Sequence, residues 1–198
     1  MKQKCKKILH IIIISSSFIG ILLQCGLGSS SFSLSTFRMF TTLSNLAVLL
    51  YFLFDFFISR NELMKKLKFA VTMCILLTGC VASILLRGMF DSMEPLQKVG
   101  IFLLHDVTPI ATVLDWLLFD EKGNTTKQMP LFSTIFPYTY LAFIFITAPF
   151  TSTMQYPYPF IDVPTLGVPL VILNCIGLSI LFILVGYLGV WIDRKLKK

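Results

Sequence analysis

Residues 99–119 read Val-Gly-Ile-Phe-Leu-Leu-His-Asp-Val-Thr-Pro-Ile-Ala-Thr-Val-Leu-Asp-Trp-Leu-Leu-Phe, an apolar run interrupted by only three ionisable side chains, His105, Asp106 and Asp115. A helix rises 1.5 Å per residue, so about twenty apolar residues cross the roughly 30 Å hydrocarbon core of a bilayer. This run has that length. Five more resemble it, at 8–28, 39–58, 69–89, 131–149 and 166–192. The expected fold is therefore all-α, a polytopic membrane protein built as one bundle of six transmembrane helices over residues 1–198.

The composition agrees. Of the 198 residues, 56% are hydrophobic and 14% charged, with a mean hydropathy of +0.82. A soluble domain carries about 25% charged residues, so this chain lacks the polar surface to cover a core in water. The net charge of +7 does not point to nucleic acid, because the basic residues form short clusters between the apolar runs. The five cysteines show no CxxC and no metal-ligand spacing. No metal and no organic cofactor are expected.

Positive charge sets the expected orientation. Six crossings place the two termini and the second and fourth connections on one side. Fourteen of the 17 Lys and Arg residues fall there: Lys2, Lys4, Lys6, Lys7, Arg60, Lys65, Lys66, Lys68, Lys122, Lys127, Arg194, Lys195, Lys197 and Lys198. Arg38, Arg87 and Lys98 remain opposite. Both termini are expected in the cytoplasm. The Leu-Leu-Gln-Cys run at 22–25 brings a lipoprotein cleavage site to mind, but Gln24 is the wrong residue before the cysteine, so the first helix is expected to stay uncleaved.

Ionisable groups at membrane depth are costly and mark functional candidates. At about 100° per residue, His105, Thr108, Thr112 and Asp115 share one narrow stripe, and Asp106 points away from it. Pro109 removes the N–H that would bond the carbonyl of His105, so a kink or opened turn is expected there; Thr108 is placed to satisfy the freed group. In the second run, Thr41, Ser44, Asn45, Tyr51 and Asp55 form another stripe, with Thr42 off its edge. Thr41 and His105 both fall within roughly 5–10 Å of the outer boundary, counted at 1.5 Å per residue. Asp55 and Asp115 fall near the inner one, where pairing with Lys or Arg is expected, and His10 is expected at the inner interface. The segment 150–164, with its Tyr-Pro-Tyr-Pro-Phe run at 156–160, is a stiff outer connection suited to an interfacial loop or a lid.

These segments resemble a known family. Phe-Thr-Thr-Leu-Ser-Asn-Leu at 40–46, Leu-Leu-His at 103–105 with Pro109, Asp-Trp-Leu-Leu-Phe at 115–119, and Tyr-Pro-Tyr-Pro-Phe-Ile-Asp-Val at 156–163 are similar to the bacterial six-pass "Pr-six-Pr" membrane proteins. That group is similar to the eukaryotic androgen-induced and androgen-dependent proteins of the FAR type, which hydrolyse fatty-acid esters of hydroxy fatty acids with an intramembrane threonine and histidine. The resemblance implies an integral protein of a bacterial inner membrane acting on a membrane lipid or fatty-acid ester. It implies Thr41 as nucleophile, with Thr42 adjacent, and His105 as base. In such an enzyme Ser44 or Asn45 are the expected oxyanion donors, while Asp106 or Asp162 are candidates for orienting the imidazole. The competing expectation is a non-enzymatic lipid-binding or helper membrane protein, its polar stripes holding the bundle together.

Overall fold

The computed structural model describes residues 2–29, 32–55, 61–91 and 93–197, and every regular element among them is helical. In chain order these are α1 (Lys2–Gln24), α2 (Phe40–Phe54), α3 (Glu62–Val81), α4 (Pro95–Phe102), α5 (Thr108–Phe119), α6 (Met129–Ser133), α7 (Ile135–Thr147), α8 (Val163–Leu166) and α9 (Val168–Lys195). A π-helical turn (Ala82–Leu86) and a 3-10 turn (Arg87–Met89) prolong α3. A second π-helical turn, Leu103–Val107, joins α4 to α5.

Among the described residues, five stretches are long and apolar enough to cross a membrane: Lys2–Gln24, Glu62–Met89, Pro95–Phe119, Met129–Phe150 and Val168–Lys195. The sixth expected crossing appears as the shorter apolar helix α2. The end of that run, residues 56–58, lies outside the described residues, as do Arg60 and Lys198. Other boundaries moved for local reasons. α1 stops before the expected residue 28 because Gly26 (φ 94°) takes the left-handed conformation that ends a helix. Its N–H bonds the carbonyl of Leu23, and that of Leu27 the carbonyl of Leu22. α3 begins seven residues before the apolar run, where the Asn61 side chain caps the N–H of Met64.

α1 lies antiparallel against α4 and α5, packs on α2, and α2 and α5 pack on α3. Small residues permit this closeness. A Cβ on Gly20 would stand 2.6 Å from Leu104, and one on Gly100 would stand 3.0 Å from Leu23. α9 leans on α3, α6, α8 and the 3-10 turn Pro159–Ile161, and most of its length is exposed. Large apolar side chains cover the outer surface of the bundle, Ile84, Ile110 and Ile146 among them. That is the surface of a protein whose solvent is lipid.

Candidate functional site

The site forms where α2 begins. Met39 precedes the helix without a side-chain cap, so the first N–H groups of α2 have no partner inside the helix. Thr41 lies in that first turn, 4% exposed. Its N–H donates to the phenolic oxygen of Tyr158 at 3.1 Å, and its hydroxyl lies 3.2 Å from the same oxygen. The hydroxyl is also 3.0 Å from Nε2 of His105.

The opened turn brings His105 there. Pro109 cannot donate, and the N–H of Thr108 reaches back five residues to the carbonyl of Leu103. The freed carbonyl of His105 presses on α3, where a Cβ at Gly79 would stand 3.1 Å from it and 3.1 Å from Pro109. The tautomer follows from the other ring nitrogen. Nδ1 lies 3.1 Å from the carbonyl of Ile101, which only accepts, so Nδ1 carries the proton. Nε2 is then the basic lone pair and the hydroxyl of Thr41 donates to it. Tyr158 consequently donates to Thr41 Oγ1 while accepting from Thr41 N–H. Phe90 stacks on the imidazole at 5.3 Å.

The loop between α7 and α8 carries Tyr158 into place. Arg38 donates to the carbonyls of Met154 (2.9 Å) and Gln155 (3.1 Å) and to the Thr147 hydroxyl (2.8 Å). Tyr140 donates to the carbonyl of Arg38 at 3.0 Å. Met154, the only non-glycine with positive φ (49°) among the described residues, sits in this clamp. Burial pushes the Tyr158 phenol above the usual tyrosine range, so it stays a neutral donor.

Thr41 and Tyr158 form the polar end of a narrow cleft of about 90 Å³. The rest of its wall is mostly apolar, from Phe40, Leu77 and Leu86 to Leu141, Leu178 and Phe182, with Thr78, Thr134 and Ser179 set among them. His105 is not among the lining residues and meets the wall at Thr41.

The other expected contacts are differently placed. Ser44 and Asn45 are buried, but their donors go to backbone carbonyls: both bond Thr41, and Asn45 also bonds Leu104 at 3.2 Å. Helix-interior Ser and Asn readily back-bond in this way, and it takes both away from the oxyanion role. Thr42 is fully buried with an unpartnered hydroxyl. Thr108 bonds Ser16 of α1 at 2.8 Å rather than the freed carbonyl. Neither aspartate orients the imidazole: Asp106 pairs with Arg87 at 3.2 Å, and Asp162 accepts from Thr165 at 2.7 Å at the start of α8. The backbone of Ile101 has that task. Tyr158 is the addition that sequence reasoning missed. It sits in the segment read as an interfacial loop or a lid, and the signal was that a tyrosine buried under such a loop must find a partner for its hydroxyl.

A second polar cluster lies toward the other end of the bundle. Asp115, fully buried, is 2.9 Å from Nε2 of His10 and bonded to the ammonium of Lys68. Lys68 also lies over the ring of Phe52 at 4.1 Å. The expected pairing of Asp115 with a lysine is thus present. His10 is not interfacial but 4% exposed, drawn in by the carboxylate.

No protein-family model, curated protein or solved structure matches this chain.

Proposed function

We propose that this protein is an intramembrane hydrolase of lipid esters, with Thr41 as nucleophile and His105 as general base. The observation that carries the reading is the 3.0 Å contact between Thr41 Oγ1 and the basic nitrogen of His105 at the polar end of an apolar cleft. A threonine hydroxyl is a weak nucleophile until a base takes its proton during attack, and this distance lies within the reach such a base needs.

The chemistry balances as follows. Oγ1 of Thr41 bonds the ester carbonyl carbon while its proton passes to Nε2 of His105. Collapse of the tetrahedral intermediate breaks the bond to the leaving alkoxide, which takes that proton. Water then attacks the acyl-threonine, giving a proton to His105, and the fatty acid departs as Thr41 is reprotonated. The negative oxygen develops at the start of α2, where the N–H of Thr41 and the phenol of Tyr158 are the nearest donors and would turn to it from the bonds they make with one another and with Thr41 Oγ1. A helix N-terminus favours negative charge.

The topology belongs to the same proposal. α2 is the sixth crossing. Both termini face the cytoplasm of a bacterial inner membrane, which sets Thr41, His105 and Tyr158 on the outer level. The family resemblance supports this function, with a fatty-acid ester as substrate.

The test is hydrolysis of a fluorogenic long-chain ester by the purified protein in lipid nanodiscs. The account expects activity that falls by roughly a hundredfold or more in both Thr41→Ala and His105→Ala, the scale of lost general-base catalysis. Full activity in the Thr41→Ala, Thr42→Ala double variant refutes it. Stoichiometric ester binding without turnover favours a lipid-binding protein instead.

A further inference from the structure

The cleft beside Thr41 does not end inside the bundle. Four of its wall residues, Tyr138 and Leu141 on α7 and Cys175 and Ser179 on α9, also line a groove on the outer surface, continued by Phe145 and Ile176. The two cavities meet between α7 and α9. These helices leave this gap because α9 packs on α3 and α6 and does not pack closely along α7. Around the gap the surface is apolar: Ile172, Ile176 and Ile180 are exposed. The top of the site is closed instead, by the Arg38 clamp on the 154–155 backbone and by buried Tyr158.

We propose that the gap between α7 and α9 is a lateral port through which one acyl chain of a membrane lipid ester enters the cleft directly from the bilayer. The occupant follows from the lining. The path is mainly apolar from the lipid-facing groove to Phe182, with scattered hydroxyls such as Ser179 and Thr78, and it ends at the hydrogen-bonded Thr41 and Tyr158, so it suits a single hydrocarbon chain carrying a carbonyl at one end. A water-soluble substrate gains nothing from this route, and a protein helix would have to enter the narrow cleft. The substrate's chemistry rests on the hydrolase reading; the binding step does not.

Cys175 supplies half of the test. Leu141→Cys, with Cys5 and Cys80 changed to Ala, is bridged to Cys175 by a reducible bis-methanethiosulfonate linker, and each sample is compared with itself after reduction. Bridging is expected to slow hydrolysis of a long-chain ester embedded in nanodiscs by roughly tenfold or more, as when entry becomes limiting. Hydrolysis of a soluble acetyl ester should change less than about twofold, since its two-carbon acyl group passes a narrowed gap that stops a long chain, and reduction should restore the long-chain rate. An unchanged long-chain rate in the bridged protein overturns the port. If neither ester is hydrolysed before bridging, the hydrolase reading fails and the port is read by binding. A fatty ester with a photoreactive diazirine on its chain should then label 175–179 and 138–141 above Ile84 and Ile110, in Thr41→Ala as in the parent. Labelling spread evenly over these exposed positions refutes it, as does labelling at the port that survives bridging. Ser179→Trp narrows the gap without a linker and should reduce the same labelling.

Discussion

Asp115→Asn isolates the energetics of the second polar cluster. The asparagine keeps the shape of the carboxylate, and its carbonyl oxygen can still accept from His10. It cannot neutralise Lys68, whose side chain is 5% exposed. Removing one member of a buried ion pair costs about 3–5 kcal/mol, because the other charge is left without compensation. The phenyl ring of Phe52 at 4.1 Å offsets part of this. For a chain of this size each kcal/mol moves the midpoint by about 2–4 °C, so the expected fall is roughly 6–20 °C. The assay is thermal unfolding in detergent, followed by maleimide-dye labelling of Cys25 and Cys74, which are 3% and 2% exposed and react only when the bundle opens. Replacing the whole cluster with apolar residues (His10→Leu, Lys68→Met, Asp115→Leu) should recover most of the loss, since well-packed apolar substitutes for buried ion pairs are often neutral or stabilising. A midpoint for Asp115→Asn within about 2 °C of the parent, less than 1 kcal/mol on the same scale, refutes the reasoning.

Other consequences follow from the site. Tyr158→Phe should lower kcat by roughly ten- to a hundredfold, approaching the cost of one lost oxyanion donor; an unchanged kcat removes Tyr158 from the chemistry. The raised phenol also has a stability consequence. This stability is complete below the ordinary tyrosine value of about 10 and is lost as pH rises past it, because the phenol of the unfolded chain then ionises while the buried one keeps its proton. Chemical denaturation at alkaline pH should show that loss in the parent and a smaller one in Tyr158→Phe. Gly79→Ala drives a methyl to 3.1 Å from the His105 carbonyl and Pro109, and kcat should fall while the helical circular dichroism stays unchanged. Arg38→Lys replaces a fork that reaches three acceptors with a single ammonium. It should speed chymotryptic cleavage after Phe160 and lower kcat together.

The apolar runs made the helical bundle legible, because the bilayer demands length and hydrophobicity and both are local properties. Charged residues obscured the boundaries. Lys65, Lys66 and Lys68 read as a cytoplasmic connection, yet α3 starts at Glu62 and Lys68 is buried. Its partner Asp115 lies 47 residues away, and His10 lies 105 away from that aspartate. No periodicity reports such a meeting. The Thr41 and His105 stripes were readable because each repeats along one helix face, and the opened turn at His105 followed from a missing N–H at Pro109. Tyr158 was not readable in this way, since it comes from a loop with no period to place it. Ser44 and Asn45 had the right face, but angle alone does not reveal that a donor is already committed to a carbonyl one turn back.

The most direct measurement of the central claim is the site of covalent capture. The protein in nanodiscs is treated with a long-chain fluorophosphonate and the adduct is located by mass spectrometry of its peptides. The account expects a single adduct on Thr41, lost in His105→Ala while the bundle stays folded. An adduct on Thr42 or on a serine, or undiminished labelling in His105→Ala, contradicts it.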